Sequence, residues 1–280
     1  MESNFKRSKQ SDKKPKQKKQ SKSKSSIIKK VFLYGALLAL VGLVIGAVLF
    51  AYYASQAPAF SDEKLKDPVP AEIYDNNDEL VTTLFQGQKR EYVSIEDVPE
   101  QMSDAVLAIE DNRFYDHGAI DFFRLGGAVI SNFTDGFASQ GASTITQQVV
   151  KRAFLTEEQT IERKAQEAYL SYRLEQEYSK DDILEMYLNK IFYSDGIYGI
   201  RTASLYYFDK ELAELNIAES AYLAGLSNLP NVYNLYVDAE AGKSRTDTVL
   251  YQMLNHGRIT QAEYDEAIQI DITDNLVPRD

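Results

Sequence analysis

The stretch that decides the fold runs from residue 102 to residue 121 and reads MSDAVLAIEDNRFYDHGAID. Apolar residues recur in its first half at intervals of three and four, a spacing that predicts an amphipathic helix: Met102, Ala105, Val106 and Ile109. This helix should end at Glu110, where a dense group of ionisable residues begins. A carboxylate at such a boundary can be partly removed from water, which suits general acid or base chemistry. The pattern also fits a polar helix end in solvent, so the stretch alone leaves both interpretations open.

A second stretch, QGASTITQQVVK at residues 140–151, combines a glycine, three hydroxyl groups and two adjacent amides at the start of a predicted helix. Lys151 follows Gln147 by about one helical turn. Such a set of donors could hold a phosphate or a sugar. Ser and Thr are also ordinary residues at a helix start, and the sequence does not separate the two interpretations.

A third pattern lies on the following predicted helix, where Arg163 and Glu167 are four residues apart and therefore share a face. Lys164 lies beside them. The three residues fit an ion-pair cluster within the helix. They also fit two cations for an anionic leaving group, next to a second carboxylate.

The rest of the chain beyond residue 70 is predicted to be mainly α, with a small β element. Helix starts are indicated at Thr160 and at three pairs that resemble capping boxes: Ser179 with Asp182, Asn216 with Glu219, and Thr260 with Glu263. Short strands are predicted at residues 71–74, 80–85 and 92–95, the first two flanking a turn-rich cluster.

The N-terminal region has the charge pattern of a membrane anchor. The first 30 residues carry 12 Lys and Arg against two Asp and Glu, whereas the remaining 250 have a net charge of −21. Residues 31–54 contain no charged side chain and would span about 36 Å as a helix, enough to cross a hydrocarbon core. The positive-inside rule then puts the N-terminus in the cytoplasm and the rest outside. A cleaved signal peptide is the alternative, although its apolar core would be shorter. With an anchor next to it, the basic tail is a topology determinant, and no nucleic-acid partner is expected.

The composition excludes several chemistries. The chain has no cysteine, which rules out disulfides, thiol catalysis and Cys-based zinc sites. It has two histidines, too few for a His-rich metal site. Any metal would be held by carboxylates and substrate oxygens, as Mg²⁺ usually is.

Taken together, five sequence blocks resemble those of the family 51 glycosyltransferases, which comprise the polymerase domains of class A penicillin-binding proteins and the monofunctional peptidoglycan glycosyltransferases. The blocks are E-D-x-x-F-x-x-H-G (Glu110, Asp111, Phe114, His117, Gly118), G-x-S-T-x-T-Q-Q (Gly141, Ser143, Thr144, Thr146, Gln147, Gln148), R-K-x-x-E (Arg163, Lys164, Glu167), I-L-x-x-Y-L-N (Ile183 to Asn189) and residues 218–226. They cover residues 98–235. Ser194 and Asp209 stand where the family usually has glycine, and Leu235 where proline often occurs.

The resemblance implies a lysozyme-like fold, with a mainly α head lobe, a smaller jaw lobe and one preceding transmembrane helix. It divides the chain into a cytoplasmic tail (1–30), an anchor (31–54), a linker with short strands (55–95), a glycosyltransferase domain (96–256) and a C-terminal helix with the start of a linker (257–280). The Phe-rich segment between the first two blocks, residues 120–137, would be either the core of a helical packing or a jaw surface that dips into the bilayer and admits lipid tails. The chain would be either the N-terminal portion of a bifunctional enzyme or a naturally short one.

The resemblance also implies an activity, the polymerisation of lipid II with inversion and release of undecaprenyl pyrophosphate. Glu110 and Glu167 would be catalytic, with Glu110 as general base. The implied substrate-binding residues are Asp111, Phe114, His117, Gly141, Ser143, Thr144, Gln147, Gln148, Lys151, Arg163, Lys164 and Asn189. Glu167 is also a candidate ligand for Mg²⁺ or another divalent cation, and no covalent cofactor is expected.

Expected partners are lipid II, the growing lipid-linked glycan, membrane lipids and other proteins of wall synthesis and division. Two other functions remain open: a lysozyme-like hydrolase or lytic transglycosylase, and a non-catalytic scaffold for wall synthesis.

Overall fold

The structure, a computed structural model, describes residues 22–66, 71–84, 89–127, 143–156 and 158–279. The chain divides into two units, Met1–Tyr52 and Tyr53–Asp280. Most of the expected jaw segment, including Phe133 and Phe137, lies outside the described residues, as does Gly141.

The described residues of the first unit form most of one long helix, α1 (Lys22–Ser55). Within its stretch from Ile28 to Ser55 an 18-residue window has a mean hydropathy of 2.6, and nearly all of the large apolar side chains of the stretch are exposed. The helix is long and apolar enough to cross a membrane. The predicted apolar helix at residues 31–54 is therefore confirmed.

The second unit is mainly helical. In chain order its helices are α2 (Asp62–Leu65), α3 (Glu100–Glu110), α4 (Ile145–Phe154), α5 (Ile161–Glu177), α6 (Lys180–Lys190), α7 (Ile200–Phe208), α8 (Ile217–Leu226), α9 (Pro230–Tyr233), α10 (Ala239–Asn255) and α11 (Gln261–Ala267). Its strands are β1 (Ala71–Tyr74), β2 (Leu80–Leu84), β3 (Lys89–Arg90) and β4 (Ile197–Tyr198). The mainly α class with a small β element is confirmed.

Helix α8 is the centre of the core, because every residue from Ala218 to Leu226 is buried. Helices α3 and α10 pack against it, and α4 packs against α5 and α6 beside them. The α8–α10 contact is close: a Cβ on Gly225 would lie 3.0 Å from side-chain carbons of Arg245 and Val249. A larger residue at that position would push the two helices apart, so the glycine is needed for their spacing.

The predicted helix starts are confirmed by their caps. The side chains of Thr160, Ser179, Asn216 and Thr260 each accept a hydrogen bond from the backbone N–H three residues later. At the last three the side chain of the third helical residue also binds the N-cap backbone, which completes a capping box. These bonds satisfy backbone donors that lack a partner within the helix.

The two strands predicted on either side of the turn-rich cluster are confirmed as β1 and β2, which pair antiparallel with Ala71 opposite Leu84. The predicted strand at residues 92–95 is wrong. The backbone N–H and C=O of Val93 are bound by the side-chain amide of Asn189, and the Ile95 N–H by the Glu185 carboxylate, so no neighbouring strand is needed. Strand pairing occurs instead at β3, which lies parallel to β4.

Part of the expected linker packs on the second unit. Leu65 in α2 is buried, and Phe60 stacks on Phe154 with ring centroids 5.4 Å apart. At the other end of the unit, Arg258 donates to Asp104 Oδ1 on α3 and to the backbone oxygen of Asn112, at 2.6 and 3.2 Å. Apolar and ionic contacts thus extend the folded unit on both sides of the sequence blocks.

Two of the departures from the family pattern have a backbone consequence. Ser194 has φ 80° and Asp209 has φ 52°, in the left-handed region where glycine carries no steric penalty. Asp209 is the C-cap residue of α7, a position at which glycine is commonly found. The glycine expected from the family is therefore explained by the backbone conformation at both sites.

Candidate active site

Glu110 is the last residue of α3, and two neutral groups hold its carboxylate. Gln148 Nε2, on α4, donates to Glu110 Oε2 at 2.7 Å. Ser227 Oγ, directly after α8, lies 3.1 Å from Glu110 Oε1. Each carboxylate oxygen is therefore oriented by a donor from a different helix, and neither donor carries a charge.

Arg152 fixes the orientation of Gln148. Its Nη1 donates to Gln148 Oε1 at 3.2 Å, so the amide nitrogen of Gln148 is the end that faces Glu110. The Arg152 guanidinium also lies over the ring of Tyr187, 5.3 Å from its centroid. Burial, followed by the nearby Glu110 carboxylate, raises the pKa of Tyr187, so this phenol stays neutral behind the site.

Asp111 and His117 connect the Glu110 loop to α4. Asp111 is buried; its Oδ1 lies 2.8 Å from His117 Nε2, and its Oδ2 accepts the N–H of Ile145, the first residue of α4, at 3.1 Å. The other ring nitrogen of His117 faces the Gly118 carbonyl. Burial opposes a charge on His117, but the hydrogen bonds to Asp111 and Gly118 raise its pKa above the usual value.

The start of α4 is built by residues that were predicted to bind substrate. Thr144 and Gln147 form a capping box and are both buried, and Thr144 Oγ1 also donates to the Ala119 carbonyl at 2.8 Å. The polar side-chain atoms that form these bonds position the helix and do not point towards a ligand. Thr144 and Gln147 therefore support the site from behind rather than as the predicted substrate contacts, whereas Asp111 lines the cleft and is held by His117 and Ile145.

Glu167, the second predicted catalytic carboxylate, is enclosed by cations. Arg163 Nη1 donates to its Oε2 at 2.7 Å, and Lys164 Nζ donates to its Oε1. The Glu167 side chain is 2% exposed, whereas that of Lys164 is 49% exposed. Lys164 Nζ also donates to Ser143 Oγ at 2.8 Å, which links the cluster to the second sequence block.

A cleft of about 850 Å³ brings these groups together. Five of the predicted site residues line it: Glu110, Asp111, Ser143, Gln148 and Lys151. Lys151 has no carboxylate partner among the residues that the structure describes, so its ammonium is available to an anion in the cleft. Arg163, Lys164 and Glu167 adjoin the cleft through Ser143 and do not line it.

The cleft also contains residues that the sequence did not single out: Arg152, Ser227, Asn228, Arg245, Gln252 and His256. Arg152 directly follows Lys151, and Ser227 directly follows the fifth block, residues 218–226. This closeness to the motif blocks is the sequence feature that could have identified both residues. The last three lie on or after α10, beyond every sequence block, and only the packing of α10 on α8 brings them to the cleft.

Two further predictions need correction. Phe114 is fully buried in the core and cannot contact a substrate. Asn189 is also fully buried, and its amide binds Val93 and the Glu185 carbonyl, which gives it a structural role.

The arrangement does not fit a divalent cation. Each oxygen of Glu167 already faces a cationic side chain, which would repel Mg²⁺. The ligand atoms of Asp111, His117 and Asp121 lie within 4.8 Å of one another, but Arg113 binds both oxygens of Asp121. Protein cations thus supply the positive charge at both places.

Comparisons with known proteins show the family. The family model described as Transglycosylase matches residues 77–254. Penicillin-binding protein 1A/1B of Bacillus subtilis is 41% identical over 257 residues, which cover 91% of this chain and 28% of the relative. Penicillin-binding protein 1A of Streptococcus oralis is 42% identical over 240 residues, 85% of this chain and 38% of that protein.

Among solved structures, penicillin-binding protein 1A from Haemophilus influenzae aligns with a TM-score of 0.42 and 25% identity, over 73% of this chain and 21% of that one. The chain spans about a third of the length of the two sequence relatives. The assignment rests on the family model and these two relatives. On these grounds the chain belongs to the transglycosylase family, together with the glycosyltransferase domains of class A penicillin-binding proteins.

Proposed function

We propose that this domain is a peptidoglycan glycosyltransferase that polymerises lipid II into glycan strands. The observation that carries the proposal is the state of Glu110: a carboxylate in the wall of a large cleft, oriented by two neutral donors and facing the same space as the Lys151 ammonium. This combination supplies a base for a hydroxyl group and a cation for a departing anion.

In the proposed reaction Glu110 takes the proton from the 4-hydroxyl of the acceptor GlcNAc. The acceptor oxygen bonds to the anomeric carbon of the lipid-linked donor as the bond from that carbon to pyrophosphate breaks. The electron pair leaves with undecaprenyl pyrophosphate, and attack from the opposite face inverts the anomeric configuration. Gln148 and Ser227 would keep the carboxylate pointed at the hydroxyl throughout.

The leaving pyrophosphate is proposed to bind on the Lys151 side of Glu110. Lys151 lines the cleft, and Lys164 reaches the cleft wall through Ser143. Arg163 holds Glu167 in place, so that Lys164 is positioned by a fixed carboxylate. These cations would stabilise the charge that develops as the bond to pyrophosphate breaks.

Hydrolysis is the competing activity, and the charge arrangement disfavours it. A glycoside hydrolase needs two carboxylic groups on either side of one bond, with water admitted. Of the acidic residues described along the cleft, Asp111 is bound to His117 and Asp121 to Arg113, which leaves Glu110 without an acidic partner. A scaffold function would not require this polar arrangement around Glu110.

The substrate is proposed to arrive from the membrane in which α1 is anchored, with the N-terminal tail in the cytoplasm and the domain outside. The length and hydropathy of α1 support an anchor, and the basic tail supports the orientation. Phe122 and Phe123 are 74% and 83% exposed at the start of the expected jaw segment, consistent with contact to lipid. Other proteins of wall synthesis remain proposed partners.

Incubation of the purified full chain with labelled lipid II in detergent tests the proposal. We expect a ladder of longer glycans on a gel. Shortening of preformed glycan would contradict the proposal and indicate a hydrolase. Unchanged lipid II would contradict it and indicate a non-catalytic role. The Glu110→Gln variant, matched in size, is the negative control.

A further inference from the structure

Ser227 has a hydrogen-bonding position that distinguishes it from the other groups around Glu110. It is the C-cap residue of α8, with φ −55° and ψ −25°, and it is 9% exposed. Its Oγ lies 3.1 Å from Glu110 Oε1 and 2.8 Å from the carbonyl oxygen of Ala224, one turn back in the helix. The hydroxyl therefore stands between two acceptors, and the buried phenol of Tyr187 also interacts with it.

A serine hydroxyl has one proton and two lone pairs, so it can donate to one of these oxygens at a time. When Glu110 is ionised, the Ser227 proton is best placed on Oε1, because hydrogen bonds to a charged acceptor are the stronger ones. When Oε1 carries a proton, the direction can reverse: Glu110 then donates to Ser227 Oγ, and Ser227 donates to Ala224. A rotation of the hydroxyl proton is sufficient, and no heavy atom has to move.

Gln148 cannot reverse in this way. Arg152 occupies its amide oxygen, so its nitrogen remains a donor to Glu110 Oε2 in either state. A permanent donor disfavours a proton on Oε2 and directs it to Oε1, the oxygen beside Ser227.

We propose that Ser227 is a positioning residue that holds the Glu110 carboxyl in one orientation both before and after it takes the acceptor proton. The inference rests on the proposed function of Glu110 as general base. The acceptor proton stays on Glu110, Ser227 keeps its own proton, and no further reactant is needed. Ser227 acts through its hydrogen bond to Glu110 Oε1 and takes no part itself in making or breaking a bond to the substrate.

The test compares the pH dependence of lipid II polymerisation by the wild-type chain and by Ser227→Ala. The variant loses a donor to the ionised carboxylate, so we expect the acid limb of the kcat profile to move up by about half to one pH unit. We expect kcat near neutral pH to fall about three- to tenfold, with little change in KM. A purely structural role would change neither the acid limb nor the balance between kcat and KM.

The other charged and titratable groups that line the cleft or interact electrostatically with Glu110 are the same in both proteins: Asp111, Arg113, Asp121, Arg124, Lys151, Arg152, Tyr187, Tyr193, Arg245 and His256. A shift of the acid limb can therefore be assigned to the lost hydroxyl. Ser227→Thr keeps a hydroxyl, and we expect it to restore the wild-type profile.

Ser220→Ala is the matched control, because Ser220 is a buried serine on the same helix whose Oγ has no hydrogen-bond partner among the described residues. It should leave kcat and the acid limb unchanged. A Ser227→Ala variant with a wild-type melting temperature, kcat and acid limb overturns the inference. Failure of the wild-type chain to polymerise lipid II would instead overturn the proposed function.

Discussion

The two carboxylates around which the site is organised have opposite surroundings. Glu110 is held by an amide and a hydroxyl, both neutral, whereas Glu167 is held by a guanidinium and an ammonium. Glu110 borders the cleft, and Glu167 is 2% exposed. Neutral donors orient a carboxylate without preventing it from accepting a proton. At Glu167 two cations bind both carboxylate oxygens and are themselves fixed by them.

The difference shows how residues of one type come to do two jobs. Glu110 is arranged for a change of charge during a reaction. Glu167 is arranged as a fixed negative charge that positions Arg163 and Lys164. The name catalytic residue, which the sequence resemblance gave to both, fits the geometry of Glu110 better than that of Glu167.

The largest effect is expected from Glu110→Gln. The amide keeps the size of the side chain and can still bind Ser227, but it cannot act as a base. We expect polymerisation to fall by about 10²–10⁴-fold, the usual contribution of a positioned base, with an unchanged circular dichroism spectrum. Undiminished activity in the folded variant would break the comparison, since Glu110 would then be another fixed structural group.

Glu167→Gln should act mainly through the two cations that it leaves uncompensated. We expect a loss of unfolding free energy of about 2 kcal/mol, below the range for fully buried pairs because Lys164 is half exposed. Urea denaturation measures it. Glu177→Gln, on the same helix, removes an exposed pair with Arg173 and should cost less than about 0.5 kcal/mol. Equal losses in the two variants would show that Glu167 is not specially held.

His117 provides a charge pair beside Glu110 that depends on pH. Its pKa is raised in the folded state, so its contribution to stability is complete below the ordinary histidine pKa and is lost as the pH rises through the folded value. We expect the stability advantage of wild type over His117→Gln to be about 1–2 kcal/mol at pH 5.5 and to shrink above neutrality. A stability advantage of wild type that grows with pH would contradict a stabilising role of protonated His117. Melting temperatures of both proteins across this range provide the measurement.

The smallest effect is expected at Asp209, far along the chain from both carboxylates. Asp209→Gly relieves a left-handed backbone at the C-cap of α7 and should raise the unfolding free energy by about 0.5–1 kcal/mol without changing polymerisation. Thermal unfolding together with a lipid II assay measures both. A change in activity would show that positions outside the site influence the two carboxylates.

Patterns local in sequence predicted much of the fold. Apolar spacing located α3, and the Ser179, Asn216 and Thr260 caps located three further helix starts, because these signals depend on neighbours within one turn. The strand predicted at residues 92–95 failed because its backbone partner is a side chain 96 residues away. A propensity for extended structure does not identify the group that completes the hydrogen bonds.

The site was predictable in part, because some of its residues lie in local sequence motifs. The motif blocks pointed to Glu110, Gln148 and Lys151, which line the cleft, but they could not separate these from Phe114, which the core requires. A motif residue can be needed for folding or for ligand contact, and the sequence does not distinguish the two. Ser227 and Arg245 were missed because they reach the cleft only after α8 and α10 have packed.

The contacts of Arg258 determine where this chain can be shortened. The family match ends at residue 254, yet Arg258 binds both Asp104 on α3 and the Asn112 carbonyl in the loop after Glu110. A protein cut at the end of the match would keep every motif and lose the guanidinium that braces the catalytic loop. A fragment that keeps this brace therefore has to extend past residue 258, beyond the limit set by sequence similarity.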